Sequence, residues 1–174
     1  MKSKSLALSL AMVAAATLAR TAVAQTAIPP APREFVDSAV QSDEYEILAA
    51  HVALAESHTP QIRAFAAQMI RDHTQMESEM RHAAAASGFP PPAHAISSDQ
   101  SRLLAALQSL RGSEFDKTYA RQQVLAHQET LAVGQSFAKA GHNPTLQKAA
   151  RAAMPQIQHH LELARQIRAV ADNA

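Results

Sequence analysis

The sequence of 174 residues is long enough for one domain with a substantial hydrophobic core, and it contains no cysteine. Disulfide bonds, thiolate metal sites and a cysteine nucleophile are therefore excluded. Glycine is scarce, with four residues, whereas alanine is abundant and runs of β-branched residues are almost absent. This composition predicts an all-α protein, and its one unusual feature is nine histidines beside only 4% aromatic residues.

The first 24 residues have the pattern of an export signal. Lys2 and Lys4 form a positive segment, residues 6–19 are apolar, and a small-x-small cleavage site ends at Ala24. The apolar stretch is shorter than the roughly 20 residues that a membrane-spanning helix needs. We expect residues 1–24 to be a signal peptide, cleaved near Ala24, and the mature protein to be periplasmic or secreted.

The charge of the mature chain differs from that of the whole sequence. The whole chain has 16 basic and 15 acidic residues, and the charged residues of the signal, Lys2, Lys4 and Arg20, are all basic. Cleavage leaves 13 basic and 15 acidic residues, a net charge of −2. We expect no nucleic-acid binding, because that needs a basic surface. We also expect no membrane span, and the sequence identifies neither a protein partner nor an oligomeric state.

The mature chain is predicted to begin with a stiff proline-rich tether, residues 25–33, followed by a long helix over about residues 34–57. Thr59 is a suitable N-cap and Pro60 a suitable first residue for a second long helix, which runs to about residue 86. The buried stripe of the first helix is predicted to consist of Val36, Val40, Ile47, Leu48 and Leu54.

The second half of the chain is predicted to contain a short helix and two long ones. Prolines at residues 90–92 exclude a helix there, and a short amphipathic helix follows over about residues 99–110. Two long helices are predicted over about residues 113–140 and 144–171, and Pro155 is expected to kink the second of these. The leucines of the short helix that are expected to face inward are Leu103, Leu104, Leu107 and Leu110.

The lengths of the connections predict the topology. Short loops join the long helices within each pair, and the long connection falls between the second and third of them. Two antiparallel helix pairs joined by one crossover are typical of ferritin-like folds. We therefore predict an all-α, ferritin-like four-helix bundle over residues 34–172, with a crossover that contains a short helix between helices 2 and 3.

Each long helix also carries one polar residue on its inward face. In the second helix His73 shares a face with Phe65, Met69, Met76 and Met80, since all of these recur at helical spacing. Similar spacing directs one residue inward on each of the other helices. The predicted metal ligands, one for each long helix, are Glu46, His73, His127 and His160.

Carboxylate and imidazole groups together suit Zn²⁺, Fe or Mn as a single divalent ion. The methionines beside His73 make copper a further, less favoured choice, because thioethers suit Cu(I). Two plainer interpretations remain open at this point. Methionines at helical spacing often only fill a core, and four inward polar groups form a metal-free hydrogen-bond network in some bundles.

The remaining titratable residues give no pattern of a catalytic site. No Ser-His-Asp arrangement, glycine-rich phosphate loop or pair of inward carboxylates is evident. His159 is expected at the rim of the core, and Glu77 is interpreted as a solvated charge. The histidines that are expected on the surface or in loops are His51, His58, His82, His94 and His142.

Several short motifs are distributed over the four long helices. They are Tyr45-Glu46-Ile47, Phe65-Ala66, Met69-Ile70-Arg71-Asp72-His73, Phe115-Asp116 with Tyr119, Gln123-Val124 with His127, and Pro155 with His160-Leu161. Together these motifs resemble the exported bacterial family called domain of unknown function 4142. The resemblance covers about residues 34–168 and implies a ferritin-like four-helix bundle in the periplasm or cell envelope, with no settled activity.

The chain departs from the ligand pattern of ferritin-like di-iron proteins, which use Glu-x-x-His on two helices and a glutamate on each of the others. Ile70 and Ile157 stand three residues before His73 and His160, and His127 replaces an expected carboxylate. A single ion held by the four predicted ligands is therefore favoured over a di-iron centre. Four protein ligands leave no open position, which favours a structural or sequestering role.

We therefore predict an exported helical-bundle protein that binds one divalent metal ion in its core, for metal handling or stress response in the cell envelope. The sequence favours a non-enzymatic role. The alternative is a metal-free periplasmic protein-interaction module, in which the buried His and Glu residues only fix the packing. A redox enzyme with a degenerate di-iron site is the third hypothesis.

Overall fold

The computed structural model describes residues 30–90 and 92–174 and shows an all-α, ferritin-like bundle, as predicted. The predicted signal peptide and residues 25–29 of the predicted tether lie outside the described residues. In the described part of the chain the helices are α1 (Pro32–Glu56), α2 (Pro60–Ala86), α3 (Ser98–Ser109), α4 (Gly112–Ala140) and α5 (Pro144–Asp172). No helix among these is long and apolar enough to cross a membrane.

Proline and polar side chains set most of the helix starts. Pro60 and Pro144 occupy the first turns of α2 and α5, where a missing N–H costs nothing. Asn143 caps α5 by accepting a hydrogen bond from the backbone N–H of Leu146, at 3.0 Å. Thr59 does not cap α2 as predicted, because its hydroxyl instead donates to Asp116 Oδ2 at 2.6 Å and so ties the α1–α2 loop to α4.

Helix α1 differs from the prediction in its start and in its buried face. It begins at Pro32, two residues earlier than expected, because proline is well suited to the first helical turn. Val36 and Val40 are buried as predicted. Ile47, Leu48 and Leu54 are only half-buried, since the face that contacts the core carries small residues instead. Those residues, with one tyrosine among them, are Tyr45, Ala49, Ala50 and Ala53.

Two helical hairpins, α1–α2 and α4–α5, make up the bundle, and each is closed by a loop of three residues. The hairpins pack through α2 against α5 and through α1 against α4, while α3 lies across α1 and α4. Leu107 of α3 is fully buried, but Leu103 is 43% exposed, so its predicted inward position is wrong. A short helix lying on the seam between two others buries only one line of side chains.

Buried apolar residues form two clusters, one towards each end of the bundle. One includes Tyr45, Phe65 and Phe115, and the other includes Phe35 and Phe137, whose rings stack with centroids 3.9 Å apart. Between these clusters, each long helix contributes buried polar or charged side chains. We call this region the polar layer, and its members are Asp43, Glu46, His73, His127 and His160.

Candidate metal centre

Three of the four sequence-predicted ligands meet in the polar layer. The rings of His73, His127 and His160 have centroids 5.1 to 5.6 Å apart, and the side chains are at most 2% exposed. One nitrogen atom of each ring lies within 4.8 Å of one nitrogen atom of each of the other two rings. One ion is therefore within reach of all three rings after only small side-chain movements. We call these residues the histidine cluster.

Each ring of the histidine cluster is held by a hydrogen bond through one of its nitrogens. His73 Nδ1 lies 2.8 Å from Asp43 Oδ1, so α1 and α2 are linked across the layer. His127 Nδ1 donates to the backbone carbonyl of Gln123, one turn earlier in α4, also at 2.8 Å. His160 Nε2 lies 2.8 Å from Asp72 Oδ2 of α2 and 2.7 Å from Gln156 Nε2, and we assign its N–H to the bond with the carboxylate, which can only accept. These three bonds fix the rotation of the rings.

The opposite ring nitrogens have no hydrogen-bond partner among the described residues. These atoms are His73 Nε2, His127 Nε2 and His160 Nδ1, and all are buried. Histidine ligands in metal sites commonly donate their second N–H to a carboxylate or a backbone carbonyl, which fixes the tautomer and makes the ligand nitrogen more basic. The histidine cluster has this arrangement at all three rings, so the residues present fit a bound transition-metal ion.

The surroundings of His73 and His160 keep these two rings in the neutral form that metal binding requires. Burial lowers the pKa of His73 from 6.5 to about 4, although the charge of Glu46 acts in the opposite direction. Burial likewise lowers the pKa of His160 to about 4, against the hydrogen bond to Asp72, which raises it. Both rings are therefore uncharged at neutral pH, with lone pairs available for a ligand.

The carboxylates that hold the rings differ in their own ionisation. Burial would raise the pKa of Asp72, but hydrogen bonds with His160 and Gln68 hold it below its ordinary value. The side chain of Asp72 is 25% exposed, so this carboxylate stays charged and connects the cluster to solvent. Burial raises the pKa of Asp43, and the nearby charge of Glu77 raises it further. A metal ion on His73 Nε2 requires the shared proton of the Asp43–His73 pair to lie on Nδ1.

Glu46, the fourth predicted ligand, lies in the polar layer but is not part of the close group of nitrogens. Its Oε1 is 3.9 Å from His127 Nδ1, the nitrogen already bonded to a carbonyl. Both carboxylate oxygens are buried and have no hydrogen-bond partner in the described ranges. Burial and the charge of Glu46 together raise the pKa of Tyr119, whose hydroxyl is also unpartnered there. Glu46 therefore places an uncompensated acidic group beside the cluster.

The sequence interpretation missed Asp43 and the position of Glu77. Asp43 lies three residues before Glu46, and this spacing would have placed it on the same helix face. Glu77 was expected to be solvated, but only 7% of it is exposed, so that prediction is wrong. It is buried because Arg81, one turn further along α2, pairs with its Oε1 at 2.7 Å and covers it.

A second group of possible ligands consists of Glu44, Glu77 and His94. The guanidinium of Arg81 lies among them, since it contacts Glu77 and stands 3.2 Å from His94 Nδ1. It also donates to the carbonyl of Pro92 in the crossover. Because Arg81 already places a cation among these possible ligands, we interpret the group as an ion-pair network that holds the crossover against α1 and α2.

The methionines of α2 are divided between the two sides of the polar layer. Met69 belongs to one apolar cluster and Met80 to the other, and both are buried. Met76 is half-buried beside a small opening of about 250 Å³ between α2 and α5, which Asp72 also lines. The methionine stripe therefore mainly fills the core, and of its members Met76 is the one that lines this opening.

Three solved structures share this fold. A crystal structure of a DUF305 fragment from Deinococcus radiodurans is 19% identical, with a TM-score of 0.68, over 84% of this chain and 99% of that one. CopM in the Cu(I)-bound form is 20% identical, with a TM-score of 0.65, over 79% and 94% of the chains. CopM in the Cu(II)-bound form is 19% identical, with a TM-score of 0.66, over 80% and 97%.

A search of the curated proteins finds no match. The family described as "Domain of unknown function (DUF4142)" matches residues 17–167, which is most of the sequence and confirms the resemblance carried by the short motifs. The chain therefore belongs to this family.

Proposed function

We propose that this protein binds one divalent transition-metal ion through His73 Nε2, His127 Nε2 and His160 Nδ1, and that it acts in metal handling rather than as an enzyme. One observation carries the proposal. All three rings are buried and tied through one nitrogen, and the other nitrogen of each ring has no partner among the described residues. One nitrogen of each ring also lies within 4.8 Å of one nitrogen of each of the other two rings.

The same observation weighs against a network that serves packing alone. A buried polar atom without a partner costs about 1–3 kcal/mol, so a cluster with three such nitrogens is a poor way to stabilise a bundle. A packing network would direct these nitrogens at acceptors or donors of the protein. A metal ion satisfies all three at once.

The donor set favours copper or zinc over manganese. Imidazole nitrogens suit Zn, Cu, Fe and Ni, whereas Mn prefers carboxylates and other oxygen ligands. Among divalent ions of the first transition row, Cu²⁺ binds such sites most tightly. The copper-bound forms of CopM, which share the fold, support the same choice. We therefore propose Cu²⁺ as the preferred ion and Zn²⁺ as its main competitor.

The charges of the polar layer fit a cation. The neutral rings of His73 and His160 supply no positive charge, and Glu46 lies in the same layer with both carboxylate oxygens unpartnered in the described residues. We propose that Glu46 compensates the charge of the ion without being its closest ligand. Three protein ligands leave a coordination position open, unlike the closed four-ligand site predicted from sequence. An open position suits reversible binding and transfer of the metal ion. If residues 1–24 direct export, the protein would do this in the cell envelope, under metal stress.

Elemental analysis by mass spectrometry tests the proposal directly. The mature chain is purified from the periplasm without a histidine tag or chelator, beside a His73→Ala/His160→Ala variant. A matched control, His82→Ala/His142→Ala, removes two exposed histidines instead. We expect about one equivalent of metal in the wild type and the control, and none in the cluster variant.

Two results would count against the proposal. If the wild type folds normally but takes up no Cu²⁺ or Zn²⁺, even when each is supplied in excess, the cluster is a packing network. If both double variants lose metal equally, binding belongs to surface histidines and not to the core.

A further inference from the structure

Helix α3 covers only half of the length of the seam between α1 and α4. Helix α3 has 12 residues, and it covers the half in which Leu107 is buried. The other half is an open groove of about 610 Å³, with a floor from α2 and α5 and one edge at the start of α3. Its volume lies in the range that suits a small organic ligand.

The surface of this groove is largely apolar. Phe35, Met80 and Ile157 are among the buried residues that line it. Leu103 and Leu125, at its edge, are 43% and 59% exposed, and they are the large hydrophobic residues found exposed in the described part of the chain. Exposed apolar area is thus concentrated at one site, which is typical of a binding surface rather than of random surface composition.

The charges around the groove have one sign. The exposed acids Glu79, Asp99 and Glu129 and the buried Asp43 line it, and no lysine, arginine or histidine does so among residues 30–90 and 92–174. Asp99 pairs with Arg102, which is exposed on α3 and does not line the groove. Within residues 30–90 and 92–174, the hydrogen bond that Glu79 accepts comes from the neutral amide of Gln75. The edge of an apolar groove is therefore negatively charged, which favours positive ligands.

We propose that this groove binds a small amphiphilic organic cation, namely an amine or quaternary ammonium group attached to an apolar body. The apolar floor would take the body and the carboxylates at the edge would take the charge. Fatty acids and other anionic amphiphiles would meet repulsion at the same edge. None of the three cluster histidines lines the groove, although Asp43, which bonds His73, does. The inference concerns a different ligand and goes beyond metal binding.

Isothermal titration with three probes of equal chain length tests the charge requirement. The probes are n-octylamine, 1-octanol and octanoate, each titrated into the mature protein after treatment with a chelator, so that no metal ion can bind the amine. We expect the amine to bind most tightly, the alcohol at least fivefold more weakly and octanoate not at all. Equal binding of amine and alcohol, or no binding of the amine, would overturn the proposal.

Variants locate the binding. Glu79→Gln and Glu129→Gln should each weaken octylamine about two- to fivefold, as expected for exposed charge pairs. Glu162→Gln removes an exposed acid outside the groove and should leave binding unchanged. Ala126→Leu adds volume on the groove wall and should abolish binding of octylamine. If Glu162→Gln weakens the amine as much as Glu129→Gln does, the charge effect is nonspecific and the groove is not the site.

Discussion

Two adjacent histidines of α5 should respond very differently to removal. His160 is fully buried and bonded to Asp72, whereas His159 is exposed, with its ring centroid 6.4 Å from that of His160. If the histidine cluster binds metal, His160→Ala should abolish the stabilisation that metal provides, and His159→Ala should preserve it. The pair is closely matched, because both substitutions remove an imidazole from the same turn of one helix.

The size of the effect follows from binding linkage. An ion at 100 times its dissociation constant stabilises the folded state by about 2.7 kcal/mol, which for a domain of this size raises the melting temperature by roughly 10 °C. Loss of one of three ligands should weaken binding about 100-fold or more, since loss of a ligand's hydrogen-bond partner alone costs about 10- to 100-fold. The stabilisation then falls to about 0.4 kcal/mol, or less than about 2 °C.

Thermal unfolding followed by circular dichroism measures this difference. Each variant is compared with its own chelator-treated form, so that any packing loss caused by His160→Ala cancels. A metal-dependent shift that survives His160→Ala would refute our assignment of this residue as a ligand. Equal loss of the shift in both variants would show that metal binds at the surface of α5 instead.

Three further predictions concern the surroundings of the site and the fold. Asp43→Asn weakens the carboxylate bond to His73 Nδ1, so the metal dissociation constant measured by titration calorimetry should rise about tenfold. Helix content should stay unchanged. Gly141→Ala should lower the free energy of unfolding in urea by about 1–3 kcal/mol, because the new Cβ would lie 2.7 Å from the backbone oxygen of Phe137. Gly134→Ala is the control: its new Cβ would have no contact closer than 3.9 Å, so the same free energy should rise by about 0.5–1 kcal/mol. In the metal-free protein, burial lowers the pKa of His73 and His160 from 6.5 to about 4, so the free energy of unfolding should fall as the pH decreases from 6.5 towards 4. The urea midpoint should therefore be lower at pH 5 than at pH 7. The raised pKa of Asp43 opposes this change but concerns one group against two.

Helical periodicity was sufficient to predict the fold and the inward direction of the three histidines. It gives the angle of each residue around its own helix axis, and His73, His127 and His160 each lie among apolar residues at spacings of three and four. The loops of three residues then required antiparallel pairs. These features are local, so they can be derived from one sequence.

Periodicity does not show how far one helix is shifted along its neighbour. The predictions for Asp43, Glu46 and Glu77 were incomplete or wrong for this reason. Whether Glu46 or Asp43 faces His73 depends on how far α1 is shifted along α2, and one turn decides between them. Likewise, Glu77 was expected in solvent because nothing in its spacing shows that Arg81 would fold back over it. Contacts between side chains of different helices, which define the site, are therefore the part that the sequence alone did not supply.

The position of the histidine cluster suggests how metal binding would affect the whole bundle. The polar layer lies between two apolar clusters, and in it three buried ring nitrogens and the carboxylate oxygens of Glu46 have no hydrogen-bond partner among residues 30–90 and 92–174. Without an ion, this middle region carries desolvation costs that neither cluster has to bear. A divalent ion would satisfy the nitrogens and offset the charge in a single step, so its binding free energy would add to the stability of the fold. We therefore expect amide hydrogen exchange to slow on metal binding first around His73, His127 and His160, where all of these costs lie, and least at the two ends of the bundle.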